Sequence, residues 1–194
     1  MIPALAPPPA PARPRVLMVG TAFAAAAAVM VFAGMIALYV STRAASIAEN
    51  GSWLPEDATV SLSPANMGLL TLFMSAVTMQ WALYSIANDD RRSTYLALGV
   101  TVVLGVAFVN LMAFYFAQMG LPVADPAGVL VFAIAGAHLA MVGAGLVFIG
   151  LMTFRTLGGQ YSARDREGLD AAALFWYATV AVYAVIWFAV FVTK

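Results

Sequence analysis

His138 is the only histidine in this 194-residue chain, and it lies in the middle of an apolar stretch. The twenty residues from 131 to 150 read VFAIAGAHLAMVGAGLVFIG, and the other nineteen are apolar or small. An imidazole in such a place could ligate a haem or a metal, or take part in proton transfer. It could equally hydrogen-bond to a neighbouring helix, or contact a lipid or a partner protein.

A haem or metal site at His138 would need ligands that this sequence does not supply. A b-type haem held by two histidines needs a second histidine, and the chain has one. Met141 is three residues away on the same helix, so the pair cannot ligate opposite faces of one haem. Copper and zinc sites use several nitrogen, sulfur or carboxylate ligands, and the chain has no cysteine. The sequence predicts no catalytic residue, no cofactor-binding residue and no metal ligand here.

Four uncharged polar side chains lie in two other apolar stretches. Thr71, Ser75 and Thr78 are spaced at i, i+4 and i+7, which places them on one face of a helix, and Asn110 lies in the following stretch. We predict an interhelical hydrogen bond for each of them. With His138 they form a candidate intramembrane polar cluster, in which the imidazole bonds to one of the three hydroxyls or to the amide of Asn110.

Two features of the last two apolar stretches indicate packing. Trp176, Tyr183 and Trp187 share one stripe of the last stretch, which is typical of packing and an interfacial belt rather than a cofactor site. Small residues, which let membrane helices approach closely, share one face of the preceding stretch: Ala133, Gly136, Ala137, Ala140, Ala144 and Val147. His138 lies nearly opposite this face. We therefore predict protein or a polar cavity on both sides of that helix, and assign Gly136, Ala140 and Trp176 to the packing cluster.

The stretches that carry these side chains are long and apolar enough to be transmembrane helices. The chain is 63% hydrophobic and 9% charged, whereas soluble domains carry about a quarter charged residues. One span needs about 20 apolar residues. Five stretches without Asp, Glu, Lys or Arg are long enough: 16–42, 58–88, 93–124, 126–154 and 171–193. We predict an all-α integral membrane bundle of five transmembrane helices over residues 16–194, preceded by a Pro-rich tail over residues 1–15.

The arginines predict how the bundle is oriented, because cytoplasmic segments collect Lys and Arg. With the N-terminus in the cytoplasm, the inside segments hold Arg13, Arg15, Arg91, Arg92, Arg155, Arg164 and Arg166. The outside segments then hold only Arg43 and Lys194. The excess of seven basic residues on one side over two on the other predicts that the N-terminus and tail are cytoplasmic and that the C-terminus is outside.

Several functional classes lack the residues that they need. Proton pumps and ion-coupled carriers place charged residues within the membrane, and none of the five stretches contains one. The formal net charge is zero, so no electrostatic attraction to nucleic acid is expected. A small transporter or channel stays open as an alternative, although five spans do not split evenly into inverted repeats. An enzyme of lipid metabolism would need a catalytic group near the interface, where His138 does not lie.

The five apolar stretches contain, in order, MVFAGMIALYVSTRAAS, TLFMSAVTMQWALYSI, LGVTVVLGVAFVNLMAFYFAQMG, AGAHLAMVGAGL and AALFWYATVAVYAVIWF. In order and spacing they resemble the cytochrome c oxidase subunit III family, in the five-helix form that lacks the family's first two helices. The resemblance covers residues 23–192, and the family's topology agrees with the distribution of arginine.

The resemblance implies a non-catalytic subunit of a haem-copper respiratory terminal oxidase in a bacterial inner (plasma) membrane. Haem and copper would sit in partner subunits, the catalytic subunit I and subunit II. This chain would stabilise the catalytic subunit and bind phospholipid. The same family includes a subunit associated with nitric oxide reductase, which is the nearest alternative.

This sequence departs from the family at its intramembrane polar positions. The family carries a glutamate in the first of these spans, a glutamine and a glutamate late in the third, a second histidine in the fourth, and a Trp-His pair followed by an acidic residue in the fifth. In this chain the first-span position is Ala28, the two third-span positions are Met112 and Tyr115, and the second position in the fourth span is Met141. In the fifth span the pair is Trp176 and Tyr177, and Val180 stands at the acidic position. Roles that depend on those carboxylates are therefore not expected, and the resemblance implies a scaffold.

Overall fold

The fold is given by a computed structural model that describes residues 15–55, 58 and 60–193. Within these ranges the chain forms five α-helices and no strand. They are α1 Val16–Asn50, α2 Leu62–Ala87, α3 Arg91–Gln118, α4 Pro126–Leu157 and α5 Glu167–Ile186, which a short π-helix, Trp187–Val192, continues. All five are long and apolar enough to cross a membrane. The predicted all-α membrane bundle is confirmed, and the predicted tail lies outside the described residues except for Arg15.

The two largest differences from the predicted stretches are at the C-terminal ends of α1 and α3, and both have local reasons. Helix α1 continues to Asn50, so its 35 residues extend about 50 Å, well beyond the thickness of the hydrocarbon core. It ends where Gly51 adopts a φ of +74°, the left-handed conformation that closes many helices. Helix α3 ends at Gln118, earlier than predicted, just before Gly120 turns the chain with a φ of +63°.

The turn between α2 and α3 is short and is closed by an acidic cap. Asp90 precedes α3, and its carboxylate accepts a hydrogen bond from the backbone N–H of Ser93 over 3.2 Å. This is the N-cap arrangement that satisfies one free donor of the first helical turn. The hydrogen bonds from Ser93 hold the pKa of Asp90 below its ordinary value.

Helices α4 and α5 lie at the centre of the bundle, and α1 lies at its edge. Helix α5 packs against α1, α2 and α4, while α4 packs against α1, α3 and α5, and α2 pairs closely with α3. Helix α1 buries a single stripe, formed by Thr21, Ala25, Phe32 and Tyr39. A central α4 agrees with the prediction, and α5 shares that position.

Two hydrogen bonds connect the segments at one end of the bundle, where the arginines predicted to lie inside are found. The backbone N–H of Met18 in α1 donates to Glu167 Oε1 over 3.0 Å, which joins the first turns of α1 and α5. The N–H of Ala163 donates to Asp89 Oδ1 over 2.9 Å, which ties the α4–α5 loop to the α2–α3 turn. We call this the arginine-rich end, and its arginines are Arg15, Arg91, Arg92, Arg155, Arg164 and Arg166.

Candidate functional site

His138 lies where four helices meet. It is only 2% exposed, and its Nε2 lies 3.0 Å from the backbone oxygen of Thr179 on α5. A carbonyl only accepts, so the imidazole donates through Nε2 in this contact. Its ring packs against Phe32 of α1, Phe108 of α3 and Tyr183 of α5, with ring centroids 6.1, 5.7 and 5.2 Å away. The imidazole of α4 therefore contacts three other helices.

The predicted partners of His138 were wrong. Its partner is a main-chain carbonyl, which can accept a second hydrogen bond because it has two lone pairs. Asn110 is exposed on the outer face of α3 and forms no side-chain hydrogen bond with another described residue. Every residue has a main-chain carbonyl, so the sequence cannot indicate which one accepts from His138. The packing of α4 on α5 identifies the carbonyl of Thr179.

The surroundings of His138 do not resemble a metal or haem site. The neighbouring groups are three aromatic rings and one carbonyl, none of which is a usual ligand for copper or zinc. Across the described parts of the chain, no group of three or more His, Cys, Asp or Glu side chains could hold a metal. That the whole chain carries no redox centre stays a prediction.

Trp176 and Ser75 form a buried polar pair between α5 and α2. The indole Nε1 of Trp176 donates to Ser75 Oγ over 3.0 Å, and both side chains are fully buried. Ser75 Oγ donates in turn to the carbonyl of Leu72 over 2.6 Å. A Cβ added at Gly105 on α3 or at Gly145 on α4 would come within 2.9 Å of the indole. The two glycines thus let α3 and α4 close around this ring.

Aromatic side chains of α5 and of the π-helix that continues it donate hydrogen bonds to α2 along the length of this antiparallel pair. Besides Trp176, the bonds join Tyr177 to Gln80 over 2.8 Å, Tyr183 to the carbonyl of Ala65 over 3.2 Å, and Trp187 to Asn66 over 2.7 Å. The predicted aromatic stripe of α5 does pack within the bundle. Sequence reasoning missed its hydrogen-bonding role, although the amide side chains of α2 were a signal for it.

The structure brings together only part of the predicted polar cluster. Thr78 Oγ1 lies 2.8 Å from Thr101 Oγ1 of α3, so Ser75 and Thr78 both form the interhelical bonds that were predicted. Thr71 donates instead to the carbonyl of Met67, within its own helix, over 2.8 Å. The prediction was therefore wrong for Thr71, as it was for Asn110.

The small-residue face of α4 points away from the other described helices, so this chain places no helix against it, and protein on that side stays a prediction. No atom beyond the helix's own backbone lies within 4 Å of a Cβ added at Gly136. The face that turns inward carries His138, because an imidazole facing lipid at this depth would be costly. The opposite face of α4 therefore lies on the outer surface of the bundle. Its exposed members are Ala133, Gly136, Ala140, Ala144 and Val147.

Comparison with known proteins gives a consistent result. The family profile described as "Cytochrome c oxidase subunit III" matches residues 12–194. The chain is 31% identical over 164 residues to cytochrome c oxidase subunit 3 of Strongylocentrotus purpuratus, covering 82% of this chain and 63% of that protein. It is 27% identical over 167 residues to that of Loxodonta africana, covering 84% and 64%. The chain thus spans less than two-thirds of the length of these relatives.

Proposed function

The chain belongs to the cytochrome c oxidase subunit III family, and on that premise we propose that it is a non-catalytic subunit of a haem-copper respiratory oxidase. The observation that carries the proposal is the family match over residues 12–194, which includes all five helices. The setting of His138 supports a structural role, since aromatic rings and a carbonyl surround it.

The proposed role is to stabilise the catalytic subunit of the complex. Haem and copper belong, in this proposal, to subunits I and II, and electrons do not pass through this chain. A bundle whose interior is tied together by hydrogen bonds between Trp176 and Ser75 and between Tyr183 and Ala65 suits a scaffold. We further propose that the subunit holds bound phospholipid, because α1 at the edge of the bundle exposes most of its surface.

We propose that the arginine-rich end faces the cytoplasm of a bacterium, and that the membrane is its inner membrane. Six arginines lie at that end, and Arg43 lies toward the opposite end of α1. An excess of Arg and Lys on short segments is typical of the cytoplasmic side. The C-terminal end of α5 would then face the outside.

Purification through a tag on this chain in mild detergent tests the proposal. We expect mass spectrometry to identify a haem- and copper-binding catalytic subunit and a subunit II in a fixed ratio to this chain. Haem without copper would favour the nitric oxide reductase alternative. Recovery of the chain alone, together with solute flux in liposomes, would instead favour a transporter or channel.

A further inference from the structure

Arg43 lies near the end of α1 that is far from the arginine-rich end, and its side chain lacks an acceptor. Its Nε is buried and forms no hydrogen bond with a described residue. Within the described ranges, no other buried side-chain nitrogen or oxygen is left without a partner. A guanidinium is always charged in proteins, and a buried charged donor costs more to leave unpaired than a neutral one. The position of Arg43 therefore indicates an acceptor that the described part of this chain does not supply.

In the proposed orientation, Arg43 stands outside the hydrocarbon core. At about 1.5 Å per residue, it lies about 40 Å along α1 from Val16, which begins the helix at the arginine-rich end. The hydrocarbon core is only about 30 Å thick. The last turns of α1, from Arg43 to Asn50, therefore project from the membrane, where the extramembrane part of another protein can reach them.

The base of this projecting segment is held on one side by its own chain. Tyr39 lies one turn before Arg43, and its hydroxyl accepts a hydrogen bond from Trp53 Nε1 over 3.2 Å. The two rings pack edge to face with their centroids 5.6 Å apart. Ser46 Oγ donates to the carbonyl of Ser52 over 3.2 Å. The start of the α1–α2 loop thus packs against α1 and supports the helix that carries Arg43.

An exposed apolar face lies next to Arg43 on the projecting turns. Ala44, Ile47 and Ala48 are spaced at i, i+3 and i+4, which places them side by side, and all three are exposed. Ile47 is 41% exposed. Arg43 precedes Ile47 by one turn and so borders this face, whereas Glu49 lies on the far side of the helix. An apolar centre with a polar rim is typical of protein interfaces. We call Arg43 and these three apolar residues the α1 tip.

Building on the proposed role as a subunit, we propose that the α1 tip binds an extramembrane segment of a partner subunit, and that a carboxylate of this segment pairs with Arg43. A carboxylate fits because it accepts two hydrogen bonds from one guanidinium and neutralises its charge. Apolar side chains of the same segment cover Ala44, Ile47 and Ala48. A protein fits this surface better than a lipid headgroup does, because the apolar face lies beyond the depth of the acyl chains and a phosphate alone leaves it in water.

Carbodiimide coupling in the whole complex tests the pairing. The reagent activates a carboxyl group, a primary amine in contact with it displaces the urea, and an amide joins the two side chains. Lys194 is the only lysine of the parent, so Arg43→Lys introduces one new reactive amine at the α1 tip. We expect mass spectrometry to find an amide between that amine and an Asp or Glu of another subunit. Arg92→Lys, at the arginine-rich end, is the control and should not couple to that residue.

Three other outcomes of the coupling would overturn the proposal. Coupling only to acidic residues of the same chain would mean that Arg43 pairs with its own loop; the candidates are Glu49 and, outside the described residues, Glu56 and Asp57. Coupling only to a lipid headgroup would assign Arg43 to the membrane surface. No coupling at all would show that no carboxylate is in contact with this position.

The dissociation rate of the coupled subunit tests how much the charge contributes. Arg43→Gln removes the charge, so this subunit should leave the complex in detergent roughly tenfold faster, since interface substitutions act mainly on dissociation. Glu49→Gln, on the far side of α1, should leave the rate unchanged. An unchanged rate in Arg43→Gln would also overturn the proposal. Recovery of the parent without any other subunit would contradict the proposed function as well, whereas an intact complex without the coupling would contradict only the role of the α1 tip.

Discussion

The indole of Trp176 occupies the space that a side chain at Gly145 would fill, since a Cβ there would lie 2.9 Å from a ring carbon of the indole. The same ring approaches Gly105 on α3 and donates a hydrogen bond to Ser75 on α2. One side chain of α5 thus fixes the distances to three other helices. The interior of the bundle depends on this fit, and variants of the glycines test it.

Gly145→Ala should destabilise the protein because the added methyl group collides with the indole of Trp176. Overpacking of a buried site typically costs about 1–3 kcal/mol. The thermal unfolding of the purified protein in detergent measures the effect. Gly136→Ala on the same helix is the matched control, since nothing lies within 4 Å of its added Cβ. If both variants melted at the same temperature, the close fit around Trp176 would be wrong.

His138→Ala should lower heat stability and leave the spectrum of the complex unchanged. The substitution removes the bond to Thr179 and the ring contacts with Phe108 and Tyr183. A hydrogen bond whose loss leaves no buried group unsatisfied contributes about 0.5–1.5 kcal/mol, and values measured within membranes average about 0.6 kcal/mol. Asn110→Ala, on the exposed face of α3, is the control and should melt like the parent. A stable His138→Ala variant that loses a haem band would contradict the structural role.

The cap at Asp90 gives a pH-dependent contribution to stability. Hydrogen bonds from Ser93 lower its pKa in the folded state below the ordinary value of 3.8. The stabilisation is therefore complete above the unfolded-state pKa and is lost as the pH falls through the folded-state pKa. Asp90→Asn keeps a capping oxygen without the charge. We expect the parent to melt above this variant at pH 6, and the difference to shrink when both are measured near pH 3.

Side-specific labelling tests the orientation of the bundle. The chain has no cysteine, so single cysteines give an unambiguous signal. Ser52→Cys lies just beyond the end of α1, and Gln160→Cys lies in the α4–α5 loop at the arginine-rich end, and both positions are exposed. Intact cells treated with a membrane-impermeant thiol reagent should label the first and not the second. Labelling of both from the outside would disprove the proposed five-span topology.

The helices were predictable because the bilayer imposes their length and composition on the sequence. Five uncharged stretches of about 20 or more residues admit few other structures, since lipid leaves main-chain groups no partner outside a helix or a closed barrel. The extension of α1 to Asn50 was not predictable from hydropathy, because the helix continues beyond the apolar run until Gly51 ends it. Where a helix ends outside the membrane depends on its capping residue, and a hydropathy pattern does not identify capping residues.

The interior contacts were less predictable, for reasons that His138 and Gly136 illustrate. Burial of His138 followed from its cost in lipid, but its partner is the main-chain oxygen of Thr179, which any residue type could offer. Small residues on α4 indicated a close helix contact, yet Gly136 faces outward. Periodicity gives the angle between two faces of a helix and leaves open which neighbours each face meets. The neighbours of α4 are decided by how five helices pack together.

The location of haem and copper within the purified complex tests the central claim most directly. The complex is isolated through a tag on this chain, and its visible spectrum, iron content and copper content are measured. This chain is then released with a stronger detergent, and the same measurements are repeated on both fractions. We predict that the haem absorbance and both metals stay with the other subunits, and that the released chain carries none in stoichiometric amount. A haem band that follows the released chain and is absent from its His138→Ala variant would contradict the non-catalytic role.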